Sequence, residues 1–436
     1  METDPTRMCE LLVGLGSDVE IRGVLGQPSG PLLVWVQSRL DGPVGCPGCG
    51  VIAKVKDRPT VELVDLCSFG RPARLMWRKR RWCCPDGDCP NGSFTEQNPQ
   101  VAPARAAMTT RAGRWCCEQV GRQGRTVAEV ARGLGCDWHT VNDAVIGWGR
   151  ALLAADTARV GPVTALGLDE TLFCREGRWR TQSWCTSVVD VNSEQLLDLV
   201  EGRTAAAASA WIDNRPAAWR AGVTYGVLDM SGPYRKVFND SLPDATQVVD
   251  PFHVHKHANS MLDECRRRVQ NETVGHRGHK HDPLYRCRRL LTKGHERLDE
   301  HGATKLMGLL EAGDPHGEVR MCWHAKETVR SLYAIADPDH AAEFLDELVD
   351  DMADPDMPPE VQSLAGTLTR WRAQILAWHT ARVTNGPTEA VNNLIKRIKR
   401  IGFGFKKFAN YRIRVLLYAG RPNWDLLPTL NPAQIR

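Results

Sequence analysis

The chain has 436 residues, 42% hydrophobic and 25% charged, values of a globular protein of about two to four domains. It lacks any run of about eighteen apolar residues, which excludes a membrane-spanning helix, and its acidic start, M-E-T-D-P-T-R, lacks the features of a secretory signal. The net charge of +4 is small, but the cations are clustered: Arg71 to Arg81 holds six and no acid, and Arg382 to Arg414 holds nine against Glu389 alone. Basic patches on a nearly neutral whole suit a polyanionic partner.

Fifteen cysteines in a chain without a signal segment are expected to be reduced, and close pairs then point to metal before disulfide. Leu11 to Val36 reads as two short strands. Beyond it lie Cys46-Pro-Gly-Cys49 and, after the basic strand R-L-M-W-R-K-R-R-W, Cys83-Cys84-Pro-Asp-Gly-Asp-Cys89. Two thiol knuckles on strand turns predict a zinc ribbon with Cys46, Cys49, Cys84 and Cys89 as ligands of a structural Zn²⁺. Cys83 competes with Cys84; Cys84 is preferred because Pro follows it, as Pro47 follows Cys46.

From Pro103 the apolar period becomes helical, with a first helix expected over roughly Ala104 to Gln123. Thr126 with Glu129 forms a capping box, Gly135 a turn, and a second helix carries Trp138, His139, Asn142 and Asp143 facing outward. This is a helix-turn-helix pattern; the competing reading is a helical hairpin of a bundle with no role on DNA. Trp138, His139 and Asn142, with Arg78 and Arg80 of the basic strand, are the candidate DNA contacts of this half.

Three apolar runs then each stop on an aspartate: A-L-G-L-D-E at Asp169, Y-G-V-L-D-M-S-G-P-Y at Asp229 and Q-V-V-D-P-F-H at Asp250. Buried strands of an open sheet look like this, and a carboxylate at the strand end lies where such sheets hold ligands. A hairpin turning at Asp190 to Glu194, the helix R-T-A-A-A-A-S-A-W-I and the strand Val223 to Leu228 complete the order β-β-β-α-β-α-β, which is ribonuclease-H-like. Ser260 to about His379 reads as an all-helical insertion. The last helix, P-T-E-A-V-N-N-L-I-K-R-I-K-R, buries Val391, Leu394, Ile395 and Ile398 and exposes Glu389, Asn393, Lys396 and Arg400.

Glu389 is either a first-turn acid favoured by the helix dipole or a metal ligand. With Asp169 and Asp229 upstream the second reading gains weight, because two Mg²⁺ (or Mn²⁺) ions need only a few carboxylates to activate an attacking oxygen and stabilise a leaving one. Asp250 and His253 are accessory candidates: a hydrogen bond steering a ligand, or a helix cap beside a packed histidine.

The order of parts resembles bacterial insertion-sequence transposases of the ISL-three family along nearly the whole chain. The residues that carry the likeness are the cysteine knuckles, G-L-D-E at 167–170, D-M-S-G-P-Y at 229–234, D-P-F-H-V at 250–254 and N-G-P-T-E-A-V-N-N-L-I-K-R-I-K-R at 385–400. The resemblance implies an acidic-triad (DDE) transposase with Asp169, Asp229 and Glu389 as catalytic residues holding magnesium. It implies binding of double-stranded DNA at terminal inverted repeats and target, and action as a homodimer or higher oligomer in the bacterial cytoplasm at the nucleoid. The D-x-x-H at 250–253 looks like an accessory motif of the Mutator and hAT superfamilies. The second knuckle departs from the family's usual C-x2-C.

The expected architecture is therefore α/β and multidomain. A zinc ribbon occupies residues 1–98, a helix-turn-helix domain 103–155, a ribonuclease-H-like core 160–258, a helical insertion 259–379, and the core's last helix with a basic tail 380–420. A regulator with an inactive core, or a nuclease without strand transfer, are the alternatives.

Overall fold

The computed structural model describes residues 19–26, 30–39 and 42–435, with isolated positions 4, 7, 8 and 14. The first half of the strand pair expected over Leu11 to Val36 therefore falls mostly outside the described residues. The chain divides into two compact units, one of Met1–Gly161 with Asn393–Arg436 and one of Pro162–Asn392.

The first unit opens with a four-stranded sheet of order β1-β2-β5-β4: β1 (Val19–Gly26), β2 (Leu32–Ser38), β4 (Thr60–Ser68) and β5 (Arg71–Arg78). Alternate residues face its core, Val34 and Val36 from β2 and Ala73, Leu75 and Trp77 from β5. A smaller sheet of β3 (Lys54–Asp57), β6 (Arg81–Cys83) and β7 (Ser93–Thr95) carries the second cysteine knuckle at its β6–β7 turn, and the isolated bridge Gly45↔Ile52 closes the first just before β3. Buried Asp65 joins sheet to helices: it accepts from Thr109 Oγ1 at 2.7 Å and from Arg111 Nε at 2.8 Å.

The first helix, α1 (Thr110–Cys117), begins six residues later than the period predicts. Thr109 caps it by accepting from Ala112 N, and Arg105 sits at φ +62°, which no helix tolerates. It continues as a π-helical turn over Glu118–Arg122. In α2 (Val127–Leu134) the Thr126–Glu129 capping box is present in both directions, and Gly135 closes the helix at φ +62°. Asp137 caps α3 (Trp138–Ala155) through Thr140 N at 2.9 Å. The core beneath these helices includes Val130, Leu134, Val145 and Trp148, joined by Ile413 and Leu417 of the C-terminal segment.

The second unit is built on a five-stranded sheet of order β10-β9-β8-β11-β12. The strands are β8 (Ala165–Glu176), β9 (Thr181–Asp190), β10 (Gln195–Glu201), β11 (Tyr225–Leu228) and β12 (Thr246–Val249). The first three form an antiparallel meander, whereas β11 and β12 run parallel to β8 and to each other. Helices α4 (Ala205–Asp213) and α5 (Ala217–Ala221) lead into β11, and α6 (Gly232–Ser241) leads into β12. Between β12 and the last helix all described regular structure is helical, from α7 (Pro251–Val274) through α8 (Pro283–Leu291), α9 (Glu300–Gly313), α10 (Glu318–Ser331), α11 (Pro338–Met352), α12 (Pro359–Arg370) and α13 (Arg372–Ala381). The last helix of this unit, α14 (Gly386–Ile401), starts here.

One sequence expectation fails at β8. The strand does not stop at Asp169 but runs seven residues past it, because β9 pairs with it as far as Glu176↔Thr181. It is the parallel partner that stops, β11 being registered on β8 only from Tyr225↔Ala165 to Val227↔Gly167. Asp169 thus lies at the rim of the parallel half while its own strand continues.

Two glycines allow close packing. A Cβ at Gly226 would lie 2.5 Å from the ring of Phe238 on α6, and one at Gly167 would run into Thr388 Oγ1 and lie 3.0 Å from Val191 Cγ2. The strand before Asp169 is therefore bare where the first turn of α14 rests on it. Gly167→Ala is expected to destabilise the second unit by about 1–3 kcal/mol through overpacking. Thr388→Ala in the same chain should recover part of that loss, read as a coupling in a double-mutant cycle of denaturant midpoints.

Candidate active site and nucleic-acid interface

Asp229 follows the last residue of β11, and continuing the β11–β8 register brings it level with Asp169. The motif D-M-S-G-P-Y then turns directly into α6, with Pro233 in the first helical turn and Tyr234 buried, its hydroxyl 3.2 Å from Thr186 Oγ1. Burial pushes the Asp229 carboxyl from 3.8 up to about 6; Asp169 adds to the rise and His253 opposes it. Its buried Oδ1 has no hydrogen-bond partner. A buried carboxylate oxygen left this way costs free energy unless a proton or cation meets it.

Asp169 is held by α14. Asn392 Nδ2 donates to Asp169 Oδ2 at 2.6 Å, and Asn392 Oδ1 accepts from Ser187 Oγ at 2.9 Å, so strand, amide and hydroxyl orient one another. Glu389 lies one turn earlier on the same helix, its side chain 42% exposed and Oε1 3.6 Å from His253 Nε2.

Asp250 caps α7 by accepting from Phe252 N at 2.7 Å and with its other oxygen accepts from Asn385 N at 2.5 Å. His253, one turn into α7, comes within 3.5 Å of Asn385 Nδ2. The structure thus gathers Asp169, Asp229, Asp250, His253 and Glu389 around one sheet rim. Their carboxylates are not drawn into a tight cage: among the described residues, only the four thiols form a cluster of potential metal ligands within 4.8 Å of one another. An unsatisfied Asp229 oxygen beside a second carboxylate is nevertheless a donor set that fits a hard divalent cation.

The thiol cluster is Cys46, Cys49, Cys84 and Cys89. The Cys46 and Cys89 sulfurs are 3.7 Å apart and those of Cys49 and Cys84 3.5 Å, close to the edge of about 3.8 Å of a tetrahedron with 2.3 Å zinc–sulfur bonds. Backbone N–H groups of Gly48 and Cys49 hold the Cys46 thiol down to about 7, whereas burial pushes the Cys84 thiol up to about 12, so without a metal the cluster favours one thiolate. Cys83 turns away, toward the Cys84 carbonyl oxygen at 3.6 Å.

The predicted DNA contacts divide. Trp138 and His139 are exposed at the start of α3, their rings edge to face at 5.2 Å. Asn142 is not outward-facing: it is 9% exposed and donates to Asp143 Oδ1 at 3.3 Å, because α3 turns this position toward the core. Arg78 is exposed, but Arg80 is turned in, donating to Ser38 O at 3.0 Å and pairing with buried Glu96 at 3.5 Å. Much of the surrounding basic run is likewise structural: Arg74 donates to Leu134 O at the end of α2, and Lys79 is buried over Trp77. Asn393, Lys396 and Arg400 on α14 are exposed as the helical spacing requires.

Sequence reasoning passes over Asn392, Ser187 and Asn385. Helical spacing puts Asn392 beside the exposed face, yet it is 3% exposed and grips Asp169 from 223 positions away. The N-N pair at 392–393 is the signal that exists, one amide facing each way.

Residues 166–415 match a family model described as a transposase, a span that includes every acid and histidine of the rim. The chain is 28% identical over 399 residues to the transposase for insertion sequence element IS1557 of Mycobacterium tuberculosis, covering 82% of this chain and 86% of that protein. It is 25% identical over 366 residues to the transposase for insertion sequence element IS1001 of Bordetella parapertussis, covering 83% and 85%. An 89-residue stretch 30% identical to an ATP-dependent protease of Lactococcus lactis spans 20% of this chain and 27% of that protein, and carries no functional argument. With more than half its length inside the family model and two relatives matched over most of their length, this chain belongs to the ISL-three family of insertion-sequence transposases.

Proposed function

We propose that the protein binds the terminal inverted repeats of its insertion sequence and carries out divalent-ion-dependent strand cleavage and strand transfer, with Asp169, Asp229 and Glu389 as the catalytic acids. The observation that carries the reading is the rim pair: Asp229, buried with an orphaned oxygen, level with Asp169 at the end of a parallel strand. The meander followed by two parallel strands supports reading this core as ribonuclease-H-like, with the helices from α7 to α13 as its insertion. We assign end recognition to the cysteine ribbon, with zinc on its four thiols, and to the helix-turn-helix, and synapsis to a homodimer or larger assembly.

Magnesium held between these carboxylates and a DNA phosphate would supply the Lewis acidity that activates the attacking oxygen and steadies the leaving one. The chain's own residues prepare the place. Asn392, itself held by Ser187, fixes the Asp169 carboxylate at the rim. Asp250 ties Asn385 to the start of α7 and so sets where α14 begins, three residues before Glu389 in the first turn. His253 lies beside this half-exposed acid, its Nε2 3.6 Å from Glu389 Oε1.

The principal test is cleavage of duplex DNA carrying the element ends with Mg²⁺, followed by joining to a supplied target plasmid. Nicking that Asp229→Ala abolishes, together with joined product, is the expected result. Absent nicking leaves the regulator; nicking without joining leaves the nuclease. Asn392→Ala is expected to lower cleavage about 10–100-fold and raise the Mg²⁺ requirement, since it frees a proposed ligand without removing it.

The carboxyl of Asp229 gives a second, activity-free readout. Its folded pKa of about 6 lies above the ordinary 3.8, so its contribution to stability is complete below about pH 4 and lost as pH rises through about 6. Without divalent ions, Asp229→Asn should therefore match the parent at about pH 4 and exceed it by about 1–3 kcal/mol at about pH 8. Mg²⁺ should raise the melting temperature of the parent alone.

Cys49→Ser should release zinc, measured by a chromogenic chelator, and weaken binding to element ends while the thermal transition of the second unit stays in place. Retention of stoichiometric zinc would remove Cys49 from the ligand set.

A further inference from the structure

The turn after α14 treats two phenylalanines in opposite ways. In G-F-G-F, the ring of Phe405 folds back on the helix end and meets Tyr411 at 5.0 Å; a Cβ at Gly402 would lie 2.5 Å from it. Gly402 is thus the gap through which Phe405 is tucked. Phe403, between the two glycines, is 94% exposed. Its φ of +51° is a left-handed value that residues with a side chain rarely adopt, and Gly404 follows at +103°.

The turn is built rather than frayed, since Gly402 N donates to Ile398 O at 3.0 Å and Phe403 N to Arg400 O at 3.1 Å. An aromatic ring held in water on a left-handed backbone is a costly arrangement without a partner to cover it. The charge around it says what that partner is. From Ala390 to Tyr411 there are six cations and no acid, and Lys396, Arg397, Arg400, Lys406 and Lys407 are exposed.

We infer that Phe403 is a wedge that enters the base stack of bound DNA while the surrounding cations hold the phosphates on either side. This rests on the DNA-binding reading of the family but not on the catalytic assignment. Apolar side chains enter base steps in this manner in proteins that bend or unstack duplexes, and each base stacked on an aromatic ring adds affinity that does not depend on salt. The cations supply the salt-dependent part.

The test uses the full-length protein with zinc, in chelator-free buffer lacking divalent ions, so that no cleavage is needed. The probe is duplex DNA carrying the element's own ends, with a fluorescent adenine analogue placed step by step along it. Binding should brighten the analogue at one or two adjacent steps as they unstack. Phe403→Ala should erase that signal and weaken binding about 5- to 100-fold, with the slope of affinity against salt unchanged. Phe403→Leu should keep part of the signal.

Lys396→Gln with Arg400→Gln should lower the salt slope by about two and leave the signal of the saturated complex in place. Because Phe403 is exposed, the melting temperature of Phe403→Ala should equal the parent's, which excludes misfolding as the cause. Equal affinity and an unaltered fluorescence pattern in Phe403→Ala would overturn the wedge. So would a change in sedimentation mass of the DNA-free protein, which would make a second copy of the chain the partner. Failure of the parent to bind the ends at all would instead count against the proposed function.

Discussion

The second unit depends on how closely the first turn of α14 can approach β8. That approach exists because Gly167 has no side chain where Thr388 sits, and it is locked by the hydrogen bond from Asn392 to Asp169. Remove the contact and Glu389 loses part of what brings it to Asp169 and Asp229, which precede it by well over a hundred residues. The packing is steric and directional: a bare glycine faces a hydroxyl, and an amide donates to a carboxylate.

The rim is looser. Burial first, and the charge of Asp169 second, raise the pKa of Asp229. Four thiols can close into a compact cluster because a protonated thiol carries no charge, and the Cys46–Cys89 and Cys49–Cys84 sulfurs lie 3.7 and 3.5 Å apart. The two candidate centres therefore differ in character: the thiols are drawn together, whereas the rim acids form no such cluster among the described residues.

Much of this organisation is legible in the sequence where the signal is local. The capping box at Thr126 and Glu129, the turn at Gly135, the choice of Cys84 over Cys83 and the aspartates after β11 and β12 depend on neighbours within a few positions. What the sequence obscures depends on distant partners. Asp169 reads as the end of a strand because the run of apolar residues ends there, but strand length is set by pairing with β9. Arg80 reads as a DNA contact until Glu96 claims it, and Asn142 reads as exposed until α3 turns it inward. The role of Asn392 is hidden for the same reason, since nothing near it announces Asp169.

Asp250 joins two points of the chain 135 residues apart, the start of α7 and the start of the segment leading into α14. The whole run of helices between them leaves and returns at a single side chain, like a bag tied at the neck. What lies inside can lengthen, shorten or be exchanged with little effect on the knot, because each doubling of a closed segment adds only about 0.6 kcal/mol of closure entropy. The helical body is thus free to change in bulk on the same rim, and in what it touches, provided the carboxylate at the neck is kept.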